Sequence, residues 1–471
     1  MTPVRLTSVS RPRQRVGLHA ARGGGAISFT ERRPHVLYVA WGFPPSRSGG
    51  VYRALATARA FADDGWAVTV LTATRETFEK YTGSDPSLEE LIDDRIDVVR
   101  VPFDWPALDT DIRQWSPVRA FLPRVWWQWR RRRDVKDFPE VGYGPWRRRL
   151  ERAAASVHAA RPVDLVVASA NPNVDFMAAD HLHRTQGVPY VMDYRDAWSL
   201  DVFNGREVHP RESRVGRLES ALVTSATEVW FVNEPIHAWH AERYPDARER
   251  MHVVANGYDS DFAPHPRLES RERDAPLTFG YIGTVSAKVP ISEFVDGWVR
   301  ARSRSARLHG ASAQIWGYLG FYAAPNPALL DVIESHADSG LSYAGPLPKQ
   351  HVASVYETFD CLLLILGAGR YVTSGKVFEY LASALPIVSV HDPGNAVGRI
   401  LAGYPLWFPV TDLSAESVAR VLEAAAAAAR EATPAERAAC RDFARDYSRD
   451  RQLVPRVHRL REHVTGGGDP T

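Results

Sequence analysis

Cysteine is almost absent from this sequence. The 471 residues contain only Cys361 and Cys440, and two cysteines can supply neither a disulfide framework nor a cysteine-based zinc site. A chain that needs no disulfides needs no oxidising compartment. We therefore expect a cytoplasmic protein, either free or bound peripherally at the inner face of the plasma membrane.

Long apolar runs are missing as well. Nowhere does the sequence hold the roughly 18 consecutive apolar residues of a transmembrane helix. Residues 1–33 are rich in arginine and glycine and lack the apolar segment of a signal peptide, so we predict a flexible N-terminal extension there. The formal net charge is only +2, which gives no reason to expect nucleic acid as a partner.

The sequence does contain a repeated alternation of strand and helix patterns. HVLYVA at 35–40 has the composition of a buried strand, and a glycine-containing loop, a helical pattern and the strand pattern WAVTVLTA follow it. Such a βαβ unit predicts a parallel sheet. Because further strand patterns lie at 164–170, 189–198, 228–233 and 252–259, we predict an N-terminal Rossmann-like domain over 34–262.

The alternation starts again after a charged, proline-rich linker. Strand patterns at 277–283, 313–319, 341–345, 359–366 and 386–390 predict a second Rossmann-like domain over 277–434. The amphipathic stretch 435–464 is predicted to form a helix that packs back toward the first domain. The predicted fold class is therefore α/β, with two doubly wound parallel-sheet domains that face a central cleft.

Ligands of such sheets bind at the carboxyl ends of the strands, so the loops at these ends are the candidate site. In the first domain the loop after the first strand ends in Gly49 and Gly50, where the bare backbone would allow a phosphate to approach. In the second domain two loops are rich in small residues. Their members are Gly283 and Thr284 in one loop, and Thr373, Ser374 and Gly375 in the other.

Lysine is scarce, and its placement adds to this prediction. Only five of the 58 basic residues are lysines, yet Lys288 and Lys376 fall in the two candidate loops of the second domain. A compact ammonium group suits a diphosphate as a point charge. Glu379, one helical turn beyond Lys376, could accept hydrogen bonds from ribose hydroxyls.

Read in order, these segments resemble the retaining GT-B glycosyltransferases of the family 4 type. The resemblance covers about residues 34–462. It is carried by FPPSRSGGVYRALATARAFADDGWAVTVLT, DLVVASANPN, GVPYVMDYRDAW and NGYD in the first half, and by GYIGT, YAGPLPKQHVASVYETFDCLLLIL, SGKVFEYLASALPIVSV and FARDYSRD in the second.

The resemblance implies transfer of a sugar, with retention of configuration, from a nucleotide-diphosphate sugar to an acceptor hydroxyl. It makes 34–262 the acceptor domain and 277–434 the nucleotide-sugar donor domain. It places Lys288 and the 373–376 loop at the diphosphate and Glu379 at the ribose, with Gly49 and Gly50 approaching from the other side. The nucleotide sugar would be a co-substrate, and no cofactor and no essential metal are expected, because protein cations can stabilise the leaving diphosphate.

Two departures from the family pattern concern the sugar. At the end of the middle strand, where relatives often carry a histidine, this chain has Arg195 followed by Asp196, and both are catalytic candidates. Eight residues before Glu379, many relatives carry a glutamate that contacts the transferred sugar, whereas this chain carries Tyr371. The identity of the sugar therefore does not follow from the resemblance.

The acceptor is equally open, and a saccharide, a lipid-linked glycan and a small molecule all fit. Residues 124–152 hold ten basic and four acidic residues among several tryptophans, a composition that suits contact with an anionic membrane. A flexible loop whose tryptophans fill gaps in the first domain explains the same segment. Cell-surface polysaccharide or glycolipid synthesis and secondary-metabolite glycosylation are both compatible with the sequence.

Two other functions fit the same architecture. A sugar-nucleotide epimerase would use the donor cleft without an acceptor, and it would need carboxylates and a histidine around the sugar that we cannot assign. A non-catalytic nucleotide-sugar-binding scaffold would explain the unusual Tyr371 and Arg195. Product formation distinguishes the three functions, because only transfer needs an acceptor and a scaffold has no turnover.

Overall fold

The computed structural model describes residues 32–466, except 110, 261–262, 266–274, 287, 321–324 and 368. The predicted N-terminal extension, residues 1–33, lies outside the described residues apart from its last two positions. Most of the predicted linker lies outside them too. Residues 34–471 form one compact unit, which contains two parallel β-sheets flanked by helices.

The first sheet has seven strands, all parallel, in the order β3-β2-β1-β4-β5-β6-β7. Its strands are β1 His35–Ala40, β2 Ala67–Ala73, β3 Ile96–Val101, β4 Leu165–Ser169, β5 Tyr190–Tyr194, β6 Glu228–Phe231 and β7 Met251–Val253. The α-helices are α1 Val51–Asp63, α2 Arg75–Thr77, α3 Pro117–Phe121, α4 Pro123–Asp137, α5 Gly144–Ala160, α6 Phe176–Gln186, α7 Arg214–Ser225 and α8 Glu234–Arg243.

The second sheet has six parallel strands in the order β10-β9-β8-β11-β12-β13. Its strands are β8 Thr278–Ile282, β9 Ser312–Trp316, β10 Leu341–Gly345, β11 Cys361–Ile365, β12 Ile387–Val390 and β13 Trp407–Pro409. The α-helices are α9 Ile291–Arg304, α10 Pro327–Glu334, α11 Lys349–Tyr356, α12 Lys376–Ala382, α13 Val397–Leu401, α14 Ala415–Glu431, α15 Pro434–Arg445 and α16 Arg449–Thr465.

Both sheets reverse their strand order at one point. In the first sheet this point lies between β1 and β4, and in the second it lies between β8 and β11. The central strands β1 and β11 are buried along their whole length, as expected where helices cover both faces. The prediction of two doubly wound parallel-sheet domains is thus confirmed, and the two reversal points indicate where ligands bind.

The C-terminal amphipathic stretch is two helices rather than one. The side chains of Thr433 and Ser448 cap the first turns of α15 and α16, so a new helix begins where the sequence pattern alone runs on. On α16, Leu453, Val457 and Leu460 join the apolar cluster formed by β1, β2 and α1. Helix α16 therefore packs against the first domain.

The segment predicted as either a loop or a membrane contact is largely helical. Residues 124–152 belong to α4 and α5, joined by a short turn, so the flexible-loop interpretation is wrong. Proline at the start of each helix and an absence of β-branched runs favour this outcome. Among the described residues, no helix is both long enough and apolar enough to cross a bilayer.

Candidate functional site

At the reversal point of the first sheet, an arginine lies against a glycine. Gly50 caps the N-terminus of α1 through its backbone, and a Cβ added to Gly50 would lie 1.9 Å from Nη1 of Arg195. A Cβ added to Gly49 would meet no atom within 4 Å. Gly50 therefore makes room for the Arg195 guanidinium, whereas Gly49 faces open space.

A buried ion pair fixes α1 to the middle of this sheet. Arg53 donates from Nε and Nη2 to the two carboxylate oxygens of Asp193, at 3.0 and 2.6 Å, and both side chains are buried. Nη1 of Arg53 also donates to the carbonyls of Val254 and Ala255. Bidentate pairs of this kind hold their partners in one geometry. The start of α1, with Gly50, is thus held beside the end of β5, with Arg195.

Asp196 faces the neighbouring loop rather than the arginine beside it in sequence. Its Oδ2 accepts a hydrogen bond from Nδ2 of Asn171 at 2.7 Å. Burial raises the pKa of Asp196 above its usual value, and the charge of Arg195 partly opposes this rise. The carboxyl group is thus held at the carboxyl edge of β4 and β5, where a substrate hydroxyl could reach it.

In the second domain the two predicted phosphate loops meet at Lys376. Its Nζ donates to the hydroxyl of Tyr281 at 2.7 Å and lies 4.0 Å from the centre of that ring. Gly283 has a φ of +147°, and a Cβ there would lie 2.5 Å from Nζ of Lys376. Glycine at 283 is therefore required both by the backbone conformation and by the close approach of the ammonium group.

The ammonium group of Lys376 is in a poorly solvated position. Although the residue keeps some exposed surface, burial of its charged end lowers its pKa to about 7, while the nearby Glu379 carboxylate opposes this fall. Desolvation disfavours the charged form of an amine. An anionic ligand would supply the missing counter-charge, so this position suits a phosphate.

Glu379 lies on the next turn of α12 and reaches toward the first domain. Its Oε2 accepts a hydrogen bond from the hydroxyl of Tyr356 at 3.0 Å. Burial and the carboxylates of Asp85 and Glu379 raise the pKa of Tyr52, on α1, to about 12. The carboxylate of Glu379 thus stands close enough to the first turn of α1 to act on it electrostatically.

Asn233 links the two domains directly at the candidate loop. It follows β6, and its Oδ1 caps the N-terminus of α8 by accepting from the Ile236 amide. Its Nδ2 donates to the carbonyl of Tyr371 at 2.9 Å and to Oγ1 of Thr373 at 3.0 Å. One amide side chain therefore positions the predicted phosphate loop of the second domain against the first domain.

The remaining predicted site residues of the second domain each have different neighbours. Lys288 is exposed, and its Nζ lies 4.6 Å from the ring centre of Phe203 in the first domain. Thr284 is exposed as well, and its carbonyl accepts from Tyr281. Ser374 and Gly375 lead into α12, and a Cβ at Gly375 would meet nothing within 4 Å.

Comparison with known proteins bears on both fold and function. Residues 48–257 match the family described as Glycosyl transferase 4-like domain. No protein of curated function matches the chain. A glycosyltransferase from Rickettsia africae superposes with a TM-score of 0.62 at 10% identity, covering 93% of this chain and 100% of the other. The fold is GT-B.

Two further solved structures with this fold carry different names, one for a complex with UDP and one for a putative epimerase. Anabaena HepE in complex with UDP gives a TM-score of 0.56 at 11% identity, over 92% of this chain and 100% of the other. A putative UDP-N-acetylglucosamine 2-epimerase from Listeria monocytogenes gives 0.55 at 10% identity, over 93% and 99%. At such identities the likeness establishes the fold alone.

Sequence reasoning missed Asn233 and Tyr281. Asn233 follows a strand and stands two residues before a proline, a pattern that predicts a helix cap but gives no sign of a second role across the cleft. Tyr281 lies inside β8 and looks like an ordinary core aromatic residue. Only the packing reveals that its hydroxyl holds Lys376.

Proposed function

We propose that this GT-B protein transfers a sugar from a nucleotide-diphosphate sugar to an acceptor hydroxyl, with retention of anomeric configuration and without an essential metal. The proposal rests mainly on one observation: Lys376, held by Tyr281 over the bare backbone of Gly283. The glycosyl transferase 4-like match and the UDP complex of a GT-B relative support it.

The Lys376 site fits a diphosphate leaving group. When the bond between the anomeric carbon and the diphosphate oxygen breaks, negative charge develops on that oxygen, and the ammonium of Lys376 would stabilise it. Glu379 would accept hydrogen bonds from the ribose. A cation placed where charge develops contributes on the order of 3 kcal/mol, or about a hundredfold in rate.

Retention then requires attack on the face that the diphosphate leaves. The acceptor oxygen bonds to the anomeric carbon, and its proton passes to the departing diphosphate oxygen, so no protein nucleophile is needed. Arg195 and Asp196, at the carboxyl edge of the first sheet, are proposed to orient the acceptor and the transferred sugar. A cytoplasmic location, where nucleotide sugars are available, fits this reaction.

The first test is calorimetric binding of a panel of nucleoside diphosphates and nucleotide sugars. We expect one diphosphate to bind the wild-type protein, and Lys376→Ala to weaken that binding by about tenfold to a hundredfold, the loss expected for a charge-assisted hydrogen bond. Lys80→Ala is the matched control, because Lys80 pairs with Asp109 on the exposed surface of the first domain.

Turnover assays with the nucleotide sugar so identified complete the test. Product that forms only when an acceptor is supplied, and that persists in EDTA, agrees with the proposal. An altered sugar nucleotide formed without acceptor would make the protein an epimerase. Tight binding without any product would make it a scaffold, and no binding to any member of the panel would overturn the nucleotide-sugar proposal altogether.

A further inference from the structure

The described residues expose their large apolar side chains mainly in one place. Of thirteen such side chains, eight lie within residues 108–129. Phe121 is 84% exposed and Ile112 71% exposed. The others are Leu108, Val118, Leu122, Val125, Trp127 and Trp129, each between 43% and 56% exposed. We call this set the α3–α4 surface.

A clustered apolar surface on a folded protein indicates a contact, and the charges around it indicate what kind. Residues 112–137 hold eight basic and two acidic residues, a local net charge of +6. Arg124, Arg131, Arg132 and Arg133 are exposed among the apolar side chains. Apolar and aromatic groups interleaved with arginines match the interface of an anionic bilayer, where chains enter the acyl boundary and cations meet phosphates.

Packing beneath the α3–α4 surface holds it in place. Arg119 is buried between α3 and α4, with its guanidinium 4.1 Å from the ring centre of Trp115 and 4.7 Å from that of Trp126. At the far end of α4, a Cβ on Gly144 would lie 2.1 Å from the Asp134 carbonyl oxygen, so α4 and α5 touch through bare backbone. The exposed apolar side chains are thus held outward by packing beneath them.

The α3–α4 surface lies at the same edge of the first sheet as the candidate site. The segment that carries it follows the carboxyl end of β3. The aromatic residues on either side of this segment pack on Trp41, the first residue after β1. The Trp41 ring lies edge-on to Phe103, Tyr143 and Trp146, with centroids 4.8, 6.1 and 5.5 Å away. The loop that begins at Trp41 ends at Gly49 and Gly50.

We propose that the α3–α4 surface docks this protein on an anionic membrane and so selects an acceptor that is anchored in that membrane. The membrane part stands on the surface alone, and the acceptor part rests on the proposed transfer activity. The structure also moves the contact predicted for residues 124–152, because Trp146 is buried and the exposed apolar groups extend back to Leu108.

The test is co-sedimentation of the full chain with vesicles of phosphatidylcholine alone or mixed with phosphatidylglycerol. We expect binding to the mixed vesicles, little binding to phosphatidylcholine, and weakening as salt rises, since screening reduces attraction between exposed charges. Phe121→Ser combined with Leu122→Ser should reduce binding at least tenfold. Val454→Ser, which removes a 46%-exposed apolar side chain from α16, should leave it unchanged.

Other outcomes overturn the proposal. If the wild-type protein ignores phosphatidylglycerol vesicles, or if the double variant binds them as well as wild type does, the surface is not a membrane contact. If the wild-type protein is a dimer in solution and the double variant is a monomer, the surface binds a second copy instead. Calorimetric donor binding on the same preparations keeps this test separate from the proposed function, because vesicle binding needs no donor.

Discussion

If the proposed donor binds at Lys376, the low pKa of this lysine should make donor binding depend on pH. Without a bound anion the ammonium of Lys376 is poorly solvated, and its pKa of about 7 means that half of it is deprotonated near pH 7. A bound diphosphate supplies two negative charges beside it, which favours the protonated form. We therefore expect the proposed donor to bind the protonated protein more tightly, with an affinity that falls as the pH rises through about 7.

The size of the effect follows from that pKa. With a pKa of about 7, roughly nine-tenths of the lysine is protonated at pH 6 and roughly one-tenth at pH 8. If the ligand binds only the protonated form, the Kd rises about tenfold over this interval, equivalent to about 1.4 kcal/mol. The sign is fixed as well, because a group whose pKa rises on binding takes up a proton.

Calorimetry measures both the Kd and the number of protons taken up on binding. The ligand is a nucleotide sugar, since its diphosphate is a diester and does not change charge near neutral pH. The same titration in two buffers of different ionisation enthalpy yields the number of protons taken up on binding. Lys376→Arg is the control, because a guanidinium stays charged throughout this range, and its Kd should be flat from pH 6 to pH 8.

Two results would refute the reasoning. A wild-type Kd that stays constant from pH 6 to pH 8, without proton uptake, would mean that Lys376 is already protonated in the empty site. A Kd that rises equally in the wild-type protein and in Lys376→Arg would mean that another group is responsible.

Two further predictions concern the first domain. Gly50→Ala should reduce turnover about tenfold or more while Gly49→Ala leaves it nearly unchanged, because only at position 50 would the new methyl group displace Arg195. Steady-state kinetics of the two variants checks this, and equal effects would contradict it. Arg53→Met should lower the free energy of unfolding by about 3–5 kcal/mol, because Asp193 would stay buried without its cation. Arg95→Met, at an exposed ion pair, should cost less than about 1 kcal/mol, and thermal or urea unfolding compares the two.

The sequence was sufficient to predict the fold because the central strands are buried on both faces. Continuous apolar runs such as that of β11 then mark each strand, and the glycine-containing loops mark where it ends. The edge strand β3 was not predicted, since its four middle residues are all at least partly exposed and two of them are charged. The three-residue β13 was missed because a pattern needs more residues than that to be recognised.

The candidate site was predicted in part for a similar reason. Lys376 and Gly283 stand out because lysine is rare here and because both lie in loops that follow predicted strands, where ligands of parallel sheets bind. Their mutual contact depends on the register of β8 against β11, which local sequence does not encode. The link from Asn233 to Thr373 spans 140 positions and two domains, so only the tertiary structure reveals it.

Tyr371 shows how a departure from a family pattern is explained by packing. Its ring lies against the apolar cluster of the first domain, and a Cβ on Gly205 would lie 3.1 Å from it. Its carbonyl accepts from Asn233. A glutamate with the same placement would bury a charge against an apolar cluster, which is strongly unfavourable. At this position the chain therefore has an interdomain contact. In the proposed reaction another residue would contact the transferred sugar, and Arg195, which lies beside Gly50 in the first domain, is our candidate.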